Sequence, residues 1–221
     1  MIELLNIDCM TYMATVPDKY FDLAIVDPPY GIREDGHREN QTRSKLAVSK
    51  KYHAALWDQG RPDKKYFAEL QRISNNQIIW GANHLADLFN AKSSCWLVWN
   101  KAVLSGNKNH FADCELAFAS FPTAVRSFEF EWQGMIQGNM KDKEDRIHPT
   151  QKPVQLYKWL LKNYAKPEYK IIDTHLGSGS SAIAAYDFGI AEFVGTEIDK
   201  EYFEAAKLRF ETHKRQLTLA L

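Results

Sequence analysis

Cysteine is scarce in this chain, neither charge is in surplus, and no apolar run is long. Each shortage removes a class of protein. The three cysteines, Cys9, Cys95 and Cys114, are odd in number and far apart, with no Cys-x-x-Cys pair. That pattern argues against a disulfide framework and a structural zinc site, and for a reducing, cytoplasmic setting. No cluster of metal-ligand spacing appears, so no metal is expected. No stretch approaches the roughly 20 apolar residues that cross a bilayer, and the opening Met1-Ile2-Glu3-Leu4-Leu5-Asn6-Ile7-Asp8 is too polar for a secretory leader. Lys and Arg together number 28, as do Asp and Glu, so net charge gives no support for a polyanionic partner. Internal repeats and low-complexity tracts are also lacking.

What is present is a chain of 221 residues, 45% hydrophobic and 25% charged, the profile of one globular domain over residues 1–221 or one domain with an insertion. Short apolar runs alternate with helical patterns, which points to an α/β sheet covered on both faces. Strands are expected at Phe21–Val26, Gln77–Trp80, Cys95–Trp99, Lys170–Asp173 and Glu192–Ile198. Helices are expected at Lys64–Ile73, Val154–Tyr164, Ser180–Phe188 and from Lys200 to about Lys214. Two stretches, residues 31–60 and 134–149, are long, polar and without periodicity, and loops of that length in a compact domain are usually functional or disordered. The first holds Arg43, Lys45, Lys50 and Lys51 with no acid between Gln41 and Lys51, a stripe suited either to phosphates or simply to water.

The sharpest chemical signal is Asp27-Pro28-Pro29-Tyr30 at the end of the Phe21–Val26 strand. Two prolines must end a central strand, and ligands of open α/β sheets bind off the carboxyl ends of strands. An exocyclic base amine is a poor nucleophile because its lone pair is delocalised into the ring. Two acceptors aimed at its N–H groups, the Asp27 carboxylate and the Pro28 carbonyl, would localise that pair, and Tyr30 offers a face for an extruded base. The bland alternative is a rigid turn with an acid cap. A second signal is Asp173-Thr174-His175-Leu176-Gly177-Ser178-Gly179, again a strand followed by a turn and a helix. Glu197 follows about 20 residues beyond the glycines, where Rossmann-type folds place an acid on ribose hydroxyls. The turn lacks the third glycine that favours pyrophosphate, so a cofactor without phosphates suits it better than NAD.

Taken together, Asp27-Pro28-Pro29-Tyr30 and the Asp-x-x-x-Gly-Ser-Gly turn resemble the amino-methyltransferases that modify DNA adenine or cytosine. With the catalytic motif first and the cofactor turn last, the order resembles the beta class, whose Rossmann-like S-adenosylmethionine (SAM)-dependent sheet is read from a permuted start. His148-Pro149-Thr150-Gln151-Lys152-Pro153 resembles the segment before the cofactor strand of that class, and Asp8 matches an N-terminal acid near its cofactor. The resemblance implies catalysis by Asp27, Pro28, Pro29 and Tyr30. It implies SAM contacts from Asp8, Lys152, Asp173, His175, Leu176, Gly177, Ser178, Gly179 and Glu197. Asp8 suits a helix cap equally, and His148 and Lys152 suit an ordinary loop. His175 stands where the family usually has Phe, which reads as a wall residue rather than a catalytic one.

An Asp at the head of the motif is typical of adenine-N6 chemistry in that family; cytosine-N4 enzymes more often begin it with Ser. The expected partners are DNA and SAM, with no membrane, and a homodimer stays open. Loops within 31–60 and 101–149, including Lys101, Asn107 and Lys108, are the expected DNA-reading segments; Gly138–Arg146, of mixed charge, is less persuasive. The small size suggests a solitary or phage-type modification enzyme, and a companion nuclease of the restriction-modification kind stays open. An RNA substrate, a nicotinamide oxidoreductase and an inactive DNA-binding relative are the weaker alternatives.

Overall fold

The computed structural model describes residues 1–32, 60–103, 112–133 and 136–219. The basic stripe Arg43–Lys51, together with Asn107 and Lys108, lies outside the described residues.

Among the described residues, ten strands and six helices follow one another as β1 (Ile2–Asn6), α1 (Cys9–Met13), β2 (Phe21–Val26), α2 (Lys64–Ile73), β3 (Ser74–Trp80), α3 (Ala82–Leu85), β4 (Cys95–Asn100), β5 (Cys114–Ala119), β6 (Arg126–Glu129), β7 (Trp132–Gln133), β8 (Ile136–Gln137), α4 (Val154–Tyr164), β9 (Lys170–Asp173), α5 (Ser180–Phe188), β10 (Glu192–Glu197) and α6 (Lys200–Leu219). Eight strands form one sheet in the order β1-β10-β9-β2-β3-β5-β4-β6. The run β1-β10-β9-β2-β3 is parallel, while β5 is antiparallel to both β3 and β4. The remaining two strands, β7 and β8, make a separate hairpin.

Both faces of the sheet are covered, as the unbroken apolar runs require. Along β2 the side chains alternate. Leu23 and Ile25 enter a core with Leu156 and Leu160 of α4, Ile183 of α5 and Phe210 of α6. Ala24 and Val26 enter a second core with Met13 of α1, Phe67 and Leu70 of α2 and Leu85 of α3. Each fully buried Leu, Ile or Phe adds about 1.5–3 kcal/mol of transfer free energy, so the two cores set the register. A charge at Ile25 or Val26 would destroy it.

Strand order places the site. From β2 the chain crosses by α2 to β3 on one side; from β9 it crosses by α5 to β10 on the other. The two crossovers pack on opposite faces, so the segments leaving β2 and β9 diverge and open a crevice between neighbouring strands. No helix among the described residues is long and apolar enough to cross a membrane. Likewise, the described residues hold no His/Cys/Asp/Glu group suited to a metal ion, and the three cysteines are free thiols.

Candidate active site

The first lip of the crevice is the Asp27–Tyr30 segment. Asp27 follows the last residue of β2, and Pro28 and Pro29 prevent continuation of the ladder. Tyr30 donates its hydroxyl hydrogen bond to Oδ1 of Asp27. Its ring lies parallel to that of His84 from α3, with centroids 5.2 Å apart and planes 17° from parallel.

On the other carboxylate oxygen sits the ammonium of Lys152, with Nζ 2.5 Å from Oδ2 of Asp27 and 3.3 Å from the Tyr30 hydroxyl. The same ammonium is 3.1 Å from Oε2 of Glu115 on β5, whose Oε1 accepts from Lys101 Nζ at 2.8 Å. Two carboxylates and two ammonium groups thus alternate behind the motif, and Lys152 keeps only 4% of its side chain exposed. Burial drives the Asp27 carboxyl above its usual range, against the pull of Lys152. Burial also acts to raise Glu115, yet Lys152 and Lys101 outweigh it and hold that carboxyl at about 2. Lys152 is itself held above the usual lysine range, because two carboxylates overcome its desolvation.

The second lip is the turn after β9. Asp173 is buried and accepts from the His175 N–H at 3.1 Å and from the Ser181 hydroxyl at 2.6 Å, which ties the turn to the first residues of α5. Burial raises its carboxyl to about 7, against those two hydrogen bonds. Gly179 caps α5 with φ of +73°, a left-handed conformation that costs a residue with Cβ, and a Cβ there would meet Ala206 of α6 at 3.3 Å. Leu176 is buried and donates its N–H to Thr196 at 2.9 Å, while the Ser178 and Ser180 hydroxyls share a bond of 3.1 Å. Glu197, at the end of β10, accepts from the Gly177 N–H and from the Asp199 N–H, both at 2.9 Å. Burial raises its carboxyl as well.

Asp8 lies just past the end of β1, next to β10. It caps α1 by accepting from the Thr11 N–H at 2.8 Å and the Thr11 hydroxyl at 2.9 Å. Capping and proximity to the turn therefore hold together. Next along the wall, Nδ1 of His175 lies 2.9 Å from the Thr174 hydroxyl, which also meets the Tyr66 hydroxyl of α2 at 2.6 Å. Burial lowers the His175 imidazole to about 4. His148 is buried too, edge-on to Tyr202 with centroids 4.3 Å apart; burial and then Lys152 lower it to about 3.

The structure thus gathers Asp8, Asp173, His175, Leu176, Gly177, Ser178, Gly179 and Glu197 at the carboxyl ends of β1, β9 and β10. Lys152, grouped with those residues on sequence, stands instead on the Asp27 carboxylate. Lys101, a sequence candidate for DNA phosphate, turns its ammonium inward to Glu115. Arg146 lays its guanidinium 4.4 Å from the Trp132 ring centroid. Sequence reasoning missed Glu115, Tyr66 and His84. Glu115 alone left a signal, as a single acid inside the apolar run Cys114-Glu115-Leu116-Ala117-Phe118-Ala119.

Comparisons agree with this architecture. The protein YubD of Escherichia coli (strain K12) is 25% identical over 228 residues, covering 95% of this chain and 90% of YubD. The crystal structure of the M1.HpyAVI–SAM complex superposes with a TM-score of 0.59 at 20% identity, over 95% of this chain and all of the other. The cytosine-N4-specific PvuII DNA methyltransferase superposes with a TM-score of 0.60 at 11% identity, over 95% of this chain and 86% of that one. At those identities the two structures speak for the fold, a SAM-dependent methyltransferase sheet flanked by helices. The N6/N4 DNA methylase model matches residues 49–208, well over half of the sequence. On that match the chain belongs to the N6/N4 family of DNA methylases, the DNA amino-methyltransferases.

Proposed function

We propose that this chain methylates the N6 amine of an adenine flipped out of DNA, with SAM as donor. One observation carries the reading: the Asp27–Tyr30 segment and the acid-flanked glycine turn form the two lips of the crevice where the β2 and β9 crossovers part. We further propose one methyltransferase domain over residues 1–221, with target reading assigned to loops within 31–60 and 101–149.

The residues of the turn suit SAM chemically. Carboxylates at Glu197, Asp8 and Asp173 accept hydrogen bonds from hydroxyl and ammonium groups, and Leu176, Tyr66 and His175 supply apolar and aromatic wall. A Cβ on Gly177 would find nothing nearer than the His148 ring at 3.9 Å, so the backbone there is open to close approach. When bound, SAM supplies an electrophilic methyl group on a sulfonium.

The rest is done by the chain. Asp27 accepts one N–H of the amine and the Pro28 carbonyl the other, turning the lone pair away from the purine ring. Both acceptors are fixed before the base arrives, Asp27 by Lys152 and Tyr30, and the Pro28 carbonyl by Pro29, which restricts the ψ of the residue before it. Little reorganisation therefore remains at the moment of reaction. Tyr30 offers its ring to the base, with His84 backing it. After transfer the amine nitrogen carries an extra proton, and Asp27, whose affinity for a proton is raised by burial, is the acceptor at hand.

Adenine is favoured by the aspartate at the head of the motif. The second reading is cytosine-N4, favoured by the likeness to the PvuII enzyme. Radiolabelled methyl transfer to unmethylated DNA, followed by nucleoside analysis, separates them. Label in N6-methyladenosine is expected; label in N4-methylcytosine would replace the substrate, and no label on DNA would overturn the reading.

A further inference from the structure

The cofactor turn is clamped from outside the strands that carry it. One stripe of α6 faces it: Tyr202, Ala206 and Arg209, at helical spacing on one side of the helix. Tyr202 packs edge-on against His148, and Ala206 lies where a Cβ on Gly179 would touch it. Arg209 reaches furthest. Its Nη1 donates to the Ser178 carbonyl and to the Ser180 hydroxyl, both at 2.9 Å, and its Nη2 donates to Oε2 of Glu144 at 2.6 Å. Glu144 accepts the first N–H of α4, from Val154, on its other oxygen at 2.9 Å. Gln137 holds the Glu144 backbone by two bonds of 2.8 Å. Both members of the pair are largely buried, with 15% and 19% of their side chains exposed.

We propose that Arg209 is a positioning residue for SAM: its forked guanidinium fixes the Ser178–Ser180 part of the turn and locks it to the segment that delivers His148 and Lys152. This rests on the reading of the turn as the SAM site. The guanidinium spreads its donors over two nitrogens, one on the carbonyl and hydroxyl and one on the carboxylate; lysine has three donors on a single nitrogen and does not reproduce that fork. Without the fork, the turn must order when the ligand binds and spend binding energy doing so. No change is expected in the KM for DNA.

Calorimetric titration of SAM into wild type, Arg209→Met, Arg209→Lys and Glu144→Gln tests this. Lys158→Met serves as control, breaking the Lys158–Asp187 pair near the C-terminal end of α5, at the opposite end of that helix from the turn. Arg209→Met is expected to raise the Kd for SAM about tenfold with the KM for DNA unchanged, Arg209→Lys and Glu144→Gln less, and Lys158→Met not at all. If Arg209→Met does not fold, Arg209→Lys decides. Unchanged SAM affinity in a folded Arg209 variant, or an equal change in the Lys158 control, overturns the proposal. Failure of the wild type itself to bind SAM would remove the cofactor reading, and this inference with it.

Discussion

The ammonium of Lys152 rests 2.5 Å from one carboxylate oxygen of Asp27 while the Tyr30 hydroxyl occupies the other. Asp27 is thereby aimed from two sides, and Lys152 offsets part of the burial that favours its protonation. Glu115 and Lys101 extend the pattern, so the buried network carries two charges of each sign.

Replacing Lys152 with methionine should lower methylation about a hundredfold and move the acid limb of the pH–rate profile to higher pH. Burial raises the Asp27 pKa and Lys152 opposes that rise, so removing the ammonium leaves Asp27 protonated up to a higher pH. A profile that only drops, with its acid limb in place, would refute this role.

Asp27→Ala and Glu197→Ala should separate the two lips of the crevice. The first is expected to abolish methylation and leave SAM affinity intact. The second is expected to weaken SAM binding about tenfold, since it also strips the Gly177 N–H of its acceptor. Calorimetry beside a methyl-transfer assay checks both; equal loss of binding in the two variants would contradict the assignment.

Gly81→Ala should damage both stability and base handling. Gly81 has φ of +64°, and a Cβ there would fall 2.0 Å from Cε1 and 2.2 Å from Cζ of the Tyr30 ring. Tyr30 must move or the backbone must. We expect a loss of about 1–3 kcal/mol in urea unfolding and a raised KM for DNA. Unchanged values of both would mean that the ring is not seated there.

His148 should make the fold acid-sensitive. Its imidazole titrates at about 3 when folded and at about 6.5 when unfolded. A depressed folded pKa gives stability that is present above 6.5 and lost as pH falls toward 3. Asp173, raised to about 7, works the other way, favouring the fold at low pH and losing that contribution as pH rises through 7. His148→Gln should therefore shift the change in stability between pH 6.5 and 5 in favour of the fold, by up to about 1.4 kcal/mol per pH unit. Urea unfolding at the two pH values reads it, and an unaltered slope would show that His148 is protonated in the fold.

Much of this was legible locally. The helices Lys64–Ile73, Val154–Tyr164 and Ser180–Phe188 and the strands Phe21–Val26 and Lys170–Asp173 have the bounds that their periodicity and flanking residues indicate. Strand β3 begins three residues earlier than the apolar run, at Ser74, because the chain passes from helix to strand with no loop and Ser74 donates back to Leu70 at 2.5 Å. The edge strand β1 was missed. With β10 as its one neighbour among the described residues, it needs no continuous apolar run, and Glu3 and Asn6 interrupt its apolar pattern.

The sequence by itself marked out the candidate residues. Turn-forming prolines and glycines, a strand before each motif and acids at set distances are all local properties of the chain. Tertiary structure decided what those residues touch. It placed β9 beside β2, opened the crevice between their crossovers, and carried Lys152 to Asp27 across 125 residues. It also set Glu115 behind them on an antiparallel strand and turned Lys101 inward to meet it. Strand order and buried charge pairing depend on how two cores close together, and no short window of sequence contains that information.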